Sequence, residues 1–290
     1  MCRFIAYQGH PIVLDDVLIK PKNSLIHQSI HALETEYPLN GDGMGLGWYV
    51  HDIDNIPALF RSVMPAWNEP NFMALAPKIR TRCMFAHIRA ANVGSVSLYN
   101  CHPFKYKNCL FMHNGSIEGF ASIKRDLRRK LCNEAYDWIM GQTDSEHLFA
   151  LLIHNMLAHD YEFTAPNMAK VFIHTLKEVQ SIKESKGIHQ PDFINVVMGN
   201  SYEMLAFRYV SDATLDSSSL YFSAGEEYLY RNGACHMLPS ENEDSNQAVL
   251  VVSEKLTSYV AEWHEIVPQH YLWVDENLHT RLFPIEILTI

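Results

Sequence analysis

Two apolar runs that each finish on a polar cluster constrain this chain more than anything else in it. Cys83-Met84-Phe85-Ala86-His87-Ile88-Arg89 and Cys109-Leu110-Phe111-Met112, followed by His113-Asn114-Gly115, read as buried strands that deliver polar residues at their C-terminal ends. A charge at the end of a buried strand needs a partner or a ligand, because an unpaired ion is costly to desolvate. Phe4-Ile5-Ala6-Tyr7 reads as a strand stopped by Gly9 and Pro11, and further strands are expected over 193–198, 203–210, 220–223, 249–252 and 270–274. Helical spacing starts near Leu25, with Asn23 or Ser24 as cap. It returns as a basic amphipathic stretch over 119–136, after Thr143-Asp144-Ser145-Glu146, and over 167–184. Strands, then helices, then strands imply two sheets covered by helices, an α+β layered arrangement. No linker, repeat or low-complexity tract divides the sequence, so a single domain over 2–290 is expected.

The formal net charge of −10 argues against a general nucleic-acid or anionic-membrane binder, since both attract basic surfaces. Six cysteines without any CxxC pair speak against a zinc cluster or redox motif, and no metal or cofactor is called for. No signal-like opening and no run of about 18 apolar residues is present, which points to a cytoplasmic protein with reduced thiols.

Several motifs have a structural reading of their own. Asn40-Gly41-Asp42-Gly43-Met44-Gly45-Leu46-Gly47 has the glycine density of a phosphate loop but lacks GK[ST] and leads into a strand, so close backbone packing beside a site fits it better. Pro65 to Pro70 reads as a loop, and the tip Glu241-Asn242-Glu243-Asp244 as a surface loop. Thr143 with Glu146 fits a capping box that sets Asp144 at a helix N-terminus, where a carboxylate is favourable without any function. Asn114-Gly115 is by itself a common hairpin signal. The basic residues of 119–136 read as a solvated face.

Met1-Cys2-Arg3 adds a chemical element. Removal of Met1 would leave an α-amine and a thiol on one residue. Their ordinary pKa values of about 8 and about 8.5 make proton transfer between them cost under about 1 kcal/mol. The amine can then serve as general base for its own side chain. Alone, Cys2 reads equally as a small residue of the first strand.

Taken in order, Cys2, Ala86-His87-Ile88-Arg89, Asn100-Cys101-His102-Pro103-Phe104, His113-Asn114-Gly115 and Thr143-Asp144-Ser145-Glu146 resemble the class II glutamine amidotransferase domain. The stretches Phe60-Arg61-Ser62, Pro65-Ala66-Trp67-Asn68 and Val251-Val252-Ser253-Glu254-Lys255-Leu256-Thr257 resemble the stand-alone bacterial YafJ-type members. The resemblance implies the four-layer αββα sandwich of the N-terminal nucleophile hydrolases, with no attached synthase domain. It also implies roles: Cys2 as nucleophile, Asn114 and Gly115 as oxyanion donors, Arg89 for the substrate carboxylate and Asp144 for its ammonium. Asn92 stands where the family often carries Thr or Ser near that carboxylate. His102 stands where some members have a histidine lining the glutamine pocket, although His102 and His113 read equally as residues that orient others. Ala90 replaces the aromatic residue of synthase-linked members.

The expected activity is glutamine γ-amide cleavage through a γ-glutamyl thioester, with ammonia passed to a separate acceptor protein. The alternatives are hydrolysis of another γ-glutamyl compound, such as a glutathione-like thiol metabolite, and a degenerate binding domain. Glutamine or a γ-glutamyl amide is the expected small-molecule partner, and self-association is compatible with the sequence.

Overall fold

In a computed structural model of the chain, which describes residues 2–35, 37–231, 234–241, 246–259 and 262–286, antiparallel pairing builds two large sheets. The strands are β1 (Arg3–Val13), β2 (Met44–Trp48), β3 (Ala58–Ser62), β4 (Arg80–Ile88), β5 (Phe104–Tyr106), β6 (Cys109–Ser116), β7 (Phe193–Gly199) and β8 (Met204–Val210), followed by β9 (Tyr221–Gly225), β10 (Glu227–Arg231), β11 (Ala234–Leu238), β12 (Ala248–Val252), β13 (His264–Glu265), β14 (His270–Val274) and β15 (Thr280–Pro284). One sheet has the order β13-β9-β12-β1-β4-β2-β3 and the other β15-β14-β8-β7-β6-β5, while β10 and β11 form a separate ribbon. The helices are α1 (Leu14–Leu18), α2 (Leu25–His31), α3 (Pro70–Leu75), α4 (Phe120–Lys130), α5 (Asn133–Trp138), α6 (Asp144–Ala158) and α7 (Ala165–Ser185). No helix among the described residues is long and apolar enough to cross a membrane.

Strand periodicity assigns the layers. Along β1, Phe4 and Ala6 join a cluster with Leu110, Met112, Val197 and Ala206 of the second sheet, whereas Ile5 and Tyr7 pack with Leu14, Val17 and Leu25 of α1 and α2. Along β6, Phe111 packs instead with Phe149 of α6 and Phe172 of α7. The central strands of each sheet are therefore buried on both faces, and β7, β8 and β12 read as nearly unbroken apolar runs. Three apolar clusters separate four layers, and the expected αββα sandwich is observed.

Local expectations differ from the structure where pairing or capping overrides residue preference. β1 continues through Gly9 and Pro11, because its register with β4 shifts between Gln8 and Ile12 and the prolyl nitrogen falls in that irregular stretch. The basic stretch 119–136 is two helices, broken at Leu131. Pro65 to Pro70 is not all loop: Pro70 begins α3, with the Glu69 carboxylate accepting from Asn71 N–H at 3.1 Å. His113, Asn114 and Gly115 lie inside β6 and not beyond it. Residues 242–244 of the acidic tip lie outside the described residues.

Candidate active site

The register of β1 with β4 pairs Arg3 with Ile88, so Cys2 emerges beside the residues that follow Ile88. Cys2 Sγ accepts a hydrogen bond from Ala90 N–H at 3.3 Å. Burial pushes the thiol pKa up, opposed by that N–H and by the charges of Arg89 and Arg3. β1 is an inner strand held by β12 and β4, so the chain end carrying the sulfur is anchored and does not fray.

Arg89 is buried, and its guanidinium donates through Nη1 to Ser95 O (3.1 Å) and through Nη2 to Val93 O (2.8 Å). The loop after β4 thereby fixes the plane of the cation. That loop is braced by Asp42, whose carboxylate accepts from Ala91 N–H at 2.8 Å, while Asp42 N–H donates to Arg89 O at 2.9 Å. The glycine-rich segment thus acts by close packing: a Cβ on Gly45 would stand 2.1 Å from His102 O.

β6 supplies the opposite wall. Asn114 is 1% exposed, yet neither Nδ2 nor Oδ1 has a hydrogen-bond partner. Gly115 follows with φ 153°, and a Cβ there would come within 1.8 Å of Phe193 O, so only glycine fits. His113 is held in one tautomer if Nε2–H donates to Phe193 O (3.4 Å) and Nδ1 accepts from Ser145 Oγ–H (2.8 Å). Burial lowers its pKa and favours the neutral ring.

Asp144 opens α6, where Thr143 Oγ1 accepts from Glu146 N–H at 3.1 Å. The reciprocal half of the capping box is replaced: Glu146 reaches back to Met140 and Gly141 N–H at 2.9 and 2.8 Å. Asp144 is 4% exposed, and its two oxygens accept from Ile117 N–H and Ser145 N–H, each at 2.9 Å. A carboxylate has about four lone-pair sites, so each oxygen retains capacity toward the cleft.

Cys2, Arg89, Asn92, His102, Asn114, Gly115 and Asp144 all line one narrow cleft of about 30 Å³. Every residue singled out from the sequence is therefore brought together, with Asn92 exposed at the mouth and His102 buried within. Both His102 ring nitrogens lack partners, and burial holds its pKa well below the usual value. His87 packs beside it, with ring centroids 4.3 Å apart and the ring planes tilted by 40°. The roles of Ser145 and Asp42 had no signal in the sequence, since each acts through a neighbour's backbone or ring. A wider, open groove of about 770 Å³ is lined by His10, His51, Asp52, Arg82 and Glu276 among others.

A cation, an anion, an unpartnered amide and a thiol around one small cleft match the demands of an amino acid bearing a side-chain amide. The family model described as glutamine amidotransferases class-II matches residues 31–281. This chain belongs to the class II glutamine amidotransferases. Among relatives of this amidotransferase, the probable glutamine amidotransferase DUG3 of Saccharomyces cerevisiae is 33% identical over 296 residues, covering 96% of this chain and 82% of the yeast protein. The gamma-glutamyl-hercynylcysteine sulfoxide hydrolase of Mycolicibacterium smegmatis is 32% identical over 120 residues, 41% of this chain and 52% of that protein. The putative glutamine amidotransferase YafJ of Escherichia coli is 30% identical over 153 residues, 51% of this chain and 54% of that protein. A solved class-II domain protein of Silicibacter pomeroyi superposes with TM-score 0.66 at 24% identity, covering 98% of this chain and 100% of that one, which shows the shared fold. The amidotransferase is an enzyme, and its class of reaction is hydrolysis of glutamine or a γ-glutamyl amide.

Proposed function

We propose that this enzyme cleaves the γ-amide of glutamine through a thioester on Cys2, with residues 2–290 acting as a single domain. The buried, unpartnered side-chain amide of Asn114, in the same cleft as Cys2 Sγ, carries the reading. A buried amide with no partner is costly in a folded protein, so its retention beside a thiol points to a partner that forms during reaction.

In this reading Arg89 binds the substrate α-carboxylate with the N–H groups not used by the 93–95 loop, helped by Asn92 at the mouth. Asp144 takes the α-ammonium, and His102 lines the pocket as a neutral ring. After removal of Met1, the Cys2 α-amine accepts the thiol proton as Sγ bonds to the amide carbon. Asn114 Nδ2 and Gly115 N–H stabilise the tetrahedral oxyanion, each such donor being worth about 2.7–4 kcal/mol of barrier. The ammonium then protonates the leaving nitrogen, ammonia departs, and water attacks the thioester to release glutamate and restore the thiol. Because burial raises the thiol pKa, a neighbouring base is needed to generate the sulfur nucleophile.

The mycolicibacterial relative named as a γ-glutamyl-hercynylcysteine sulfoxide hydrolase favours a second reading, in which the leaving group is a larger amine carried by the same glutamyl recognition residues. Glutamate release from glutamine, glutathione and other γ-glutamyl amides separates the two. Turnover confined to glutamine supports an amidotransferase that feeds a separate acceptor protein, and preference for a longer amide supports the hydrolase. Turnover of none of them would leave only a binding domain, whose function an unprocessed Met1 or Cys2→Ser would not change, whereas turnover retained by Cys2→Ser would overturn the thioester on Cys2.

A further inference from the structure

Once Met1 is removed, Cys2 has no preceding peptide to hold it. Its main chain is fixed from the C-terminal side alone, and its carbonyl accepts from Arg3 Nη1 at 2.9 Å. Arg3 is 1% exposed and spends each guanidinium nitrogen on a different segment: Nη1 on Cys2 O, Nη2 on Glu34 O at 2.8 Å, and Nε on Glu254 Oε1 at 2.6 Å. Glu254 is equally buried. Its oxygens also accept from Leu33 N–H and Glu34 N–H, both at 2.9 Å, and from Asn23 Nδ2 at 3.4 Å. The preceding residue continues the clamp, because Ser253 N–H donates to Phe4 O and Ser253 Oγ accepts from Phe4 N–H, each at 3.1 Å.

A buried ion pair is weak evidence for a stability role, since apolar residues of similar volume usually stabilise as well or better. What apolar residues would not supply is a forked donor aimed at a single carbonyl. We propose that Glu254 is a positioning residue for the nucleophile: it orients Arg3 so that Nη1 holds the Cys2 carbonyl, and it ties the 33–34 segment to the same guanidinium. The proposal rests on Cys2 being the nucleophile. A carboxylate 252 positions along the chain from Cys2 thereby sets where the sulfur and its α-amine stand relative to Ala90 and Asn114. Misplacement of reacting groups by about 1 Å costs on the order of 100-fold in rate, so loosening this tie acts on turnover more than on affinity.

The test uses the full chain as Glu254→Gln, Arg3→Lys and Tyr49→Phe, the last removing the hydrogen bonds of a hydroxyl to Asn108 O and Gly199 O away from the cleft. Arg3→Lys keeps a cation beside Glu254 but loses the fork. Glu254→Gln and Arg3→Lys are expected to lower kcat by roughly 10- to 100-fold with KM within about twofold, and to slow Cys2 labelling by a glutamine-mimicking diazo-ketone in parallel. Tyr49→Phe should lower Tm with kcat unchanged. Wild-type kcat in both site variants, or kcat losses that merely track Tm across all three proteins, overturns the positioning role. If the wild-type protein is itself not labelled at Cys2, the nucleophile assignment fails instead. Should Glu254→Gln not fold, Arg3→Lys alone decides.

Discussion

Replacing Asn114 with alanine should separate activity from stability, lowering the first and leaving the second nearly unchanged. The side chain is 1% exposed and neither end of its amide is hydrogen-bonded, so truncation breaks no bond in the resting protein. It removes a buried polar group whose desolvation is uncompensated, a relief of about 1–3 kcal/mol, against the loss of a few packing contacts. The net effect on unfolding free energy is therefore small, within about 1 kcal/mol of zero on the same scale. The barrier behaves differently. Loss of an oxyanion donor raises it by about 2.7–4 kcal/mol, which is a fall in kcat of roughly 100- to 1000-fold with KM little changed. Steady-state glutamate release and a urea unfolding curve on the same preparation give both quantities. A variant that keeps wild-type kcat refutes the oxyanion role. One that loses kcat together with several kcal/mol of stability shows that Asn114 is a packing residue whose amide partners form by another route.

Arg89→Ala should act on binding: the loss of charge-assisted contacts, roughly 1.5–3 kcal/mol each, raises KM ten-fold or more, and a fall in kcat alone would reverse the assignments of Arg89 and Asn114. Intact-mass analysis should show Met1 absent from active protein and one diazo-ketone adduct on Cys2. Cys83, Cys101, Cys109 and Cys235 are buried and their thiol pKa values are raised by that burial, which leaves the half-buried Cys132 as the site a general alkylating reagent reaches next. Adducts on any buried cysteine before Cys2 would count against the mechanism. Burial lowers the pKa of His87 to about 3 and of His147 to about 4, so the unfolded chain takes up protons first as pH falls. Stability should be full above about pH 6.5 and decline toward those folded values. Glu254 adds a loss of the same sign at lower pH: burial alone would raise its pKa, but Arg3 and the Leu33 and Glu34 N–H groups together hold it below the usual carboxylate range. A urea midpoint that stays flat between pH 7 and pH 4.5 contradicts the histidine contribution, and one that does not fall further below about pH 4.5 contradicts that of Glu254.

The candidate site residues were legible in the sequence because residue type and chain order single them out. Arg89 and Asn114 could be picked out as polar residues following apolar strand runs, and Thr143 marked the start of α6 correctly. Less legible were features set by partners remote in the chain. Pro11 looked like a strand stop but falls where β1 shifts register against β4, and Glu146 completes a loop instead of a capping box. Asp42, Ser145 and Glu254 each act on a backbone group or a ring that only folding brings near.

Local preference, residue chemistry and the alternation of apolar positions are properties of neighbouring residues, and they were enough to expect two sheets covered by helices and to single out polar residues at the strand ends. The placement of those groups depends on antiparallel register between segments tens to hundreds of residues apart. That register puts Cys2 beside Ala90, aims an unpartnered Asn114 amide into the same cleft and closes Glu254 over Arg3. Such closure is decided by long-range pairing and burial, which no local pattern encodes.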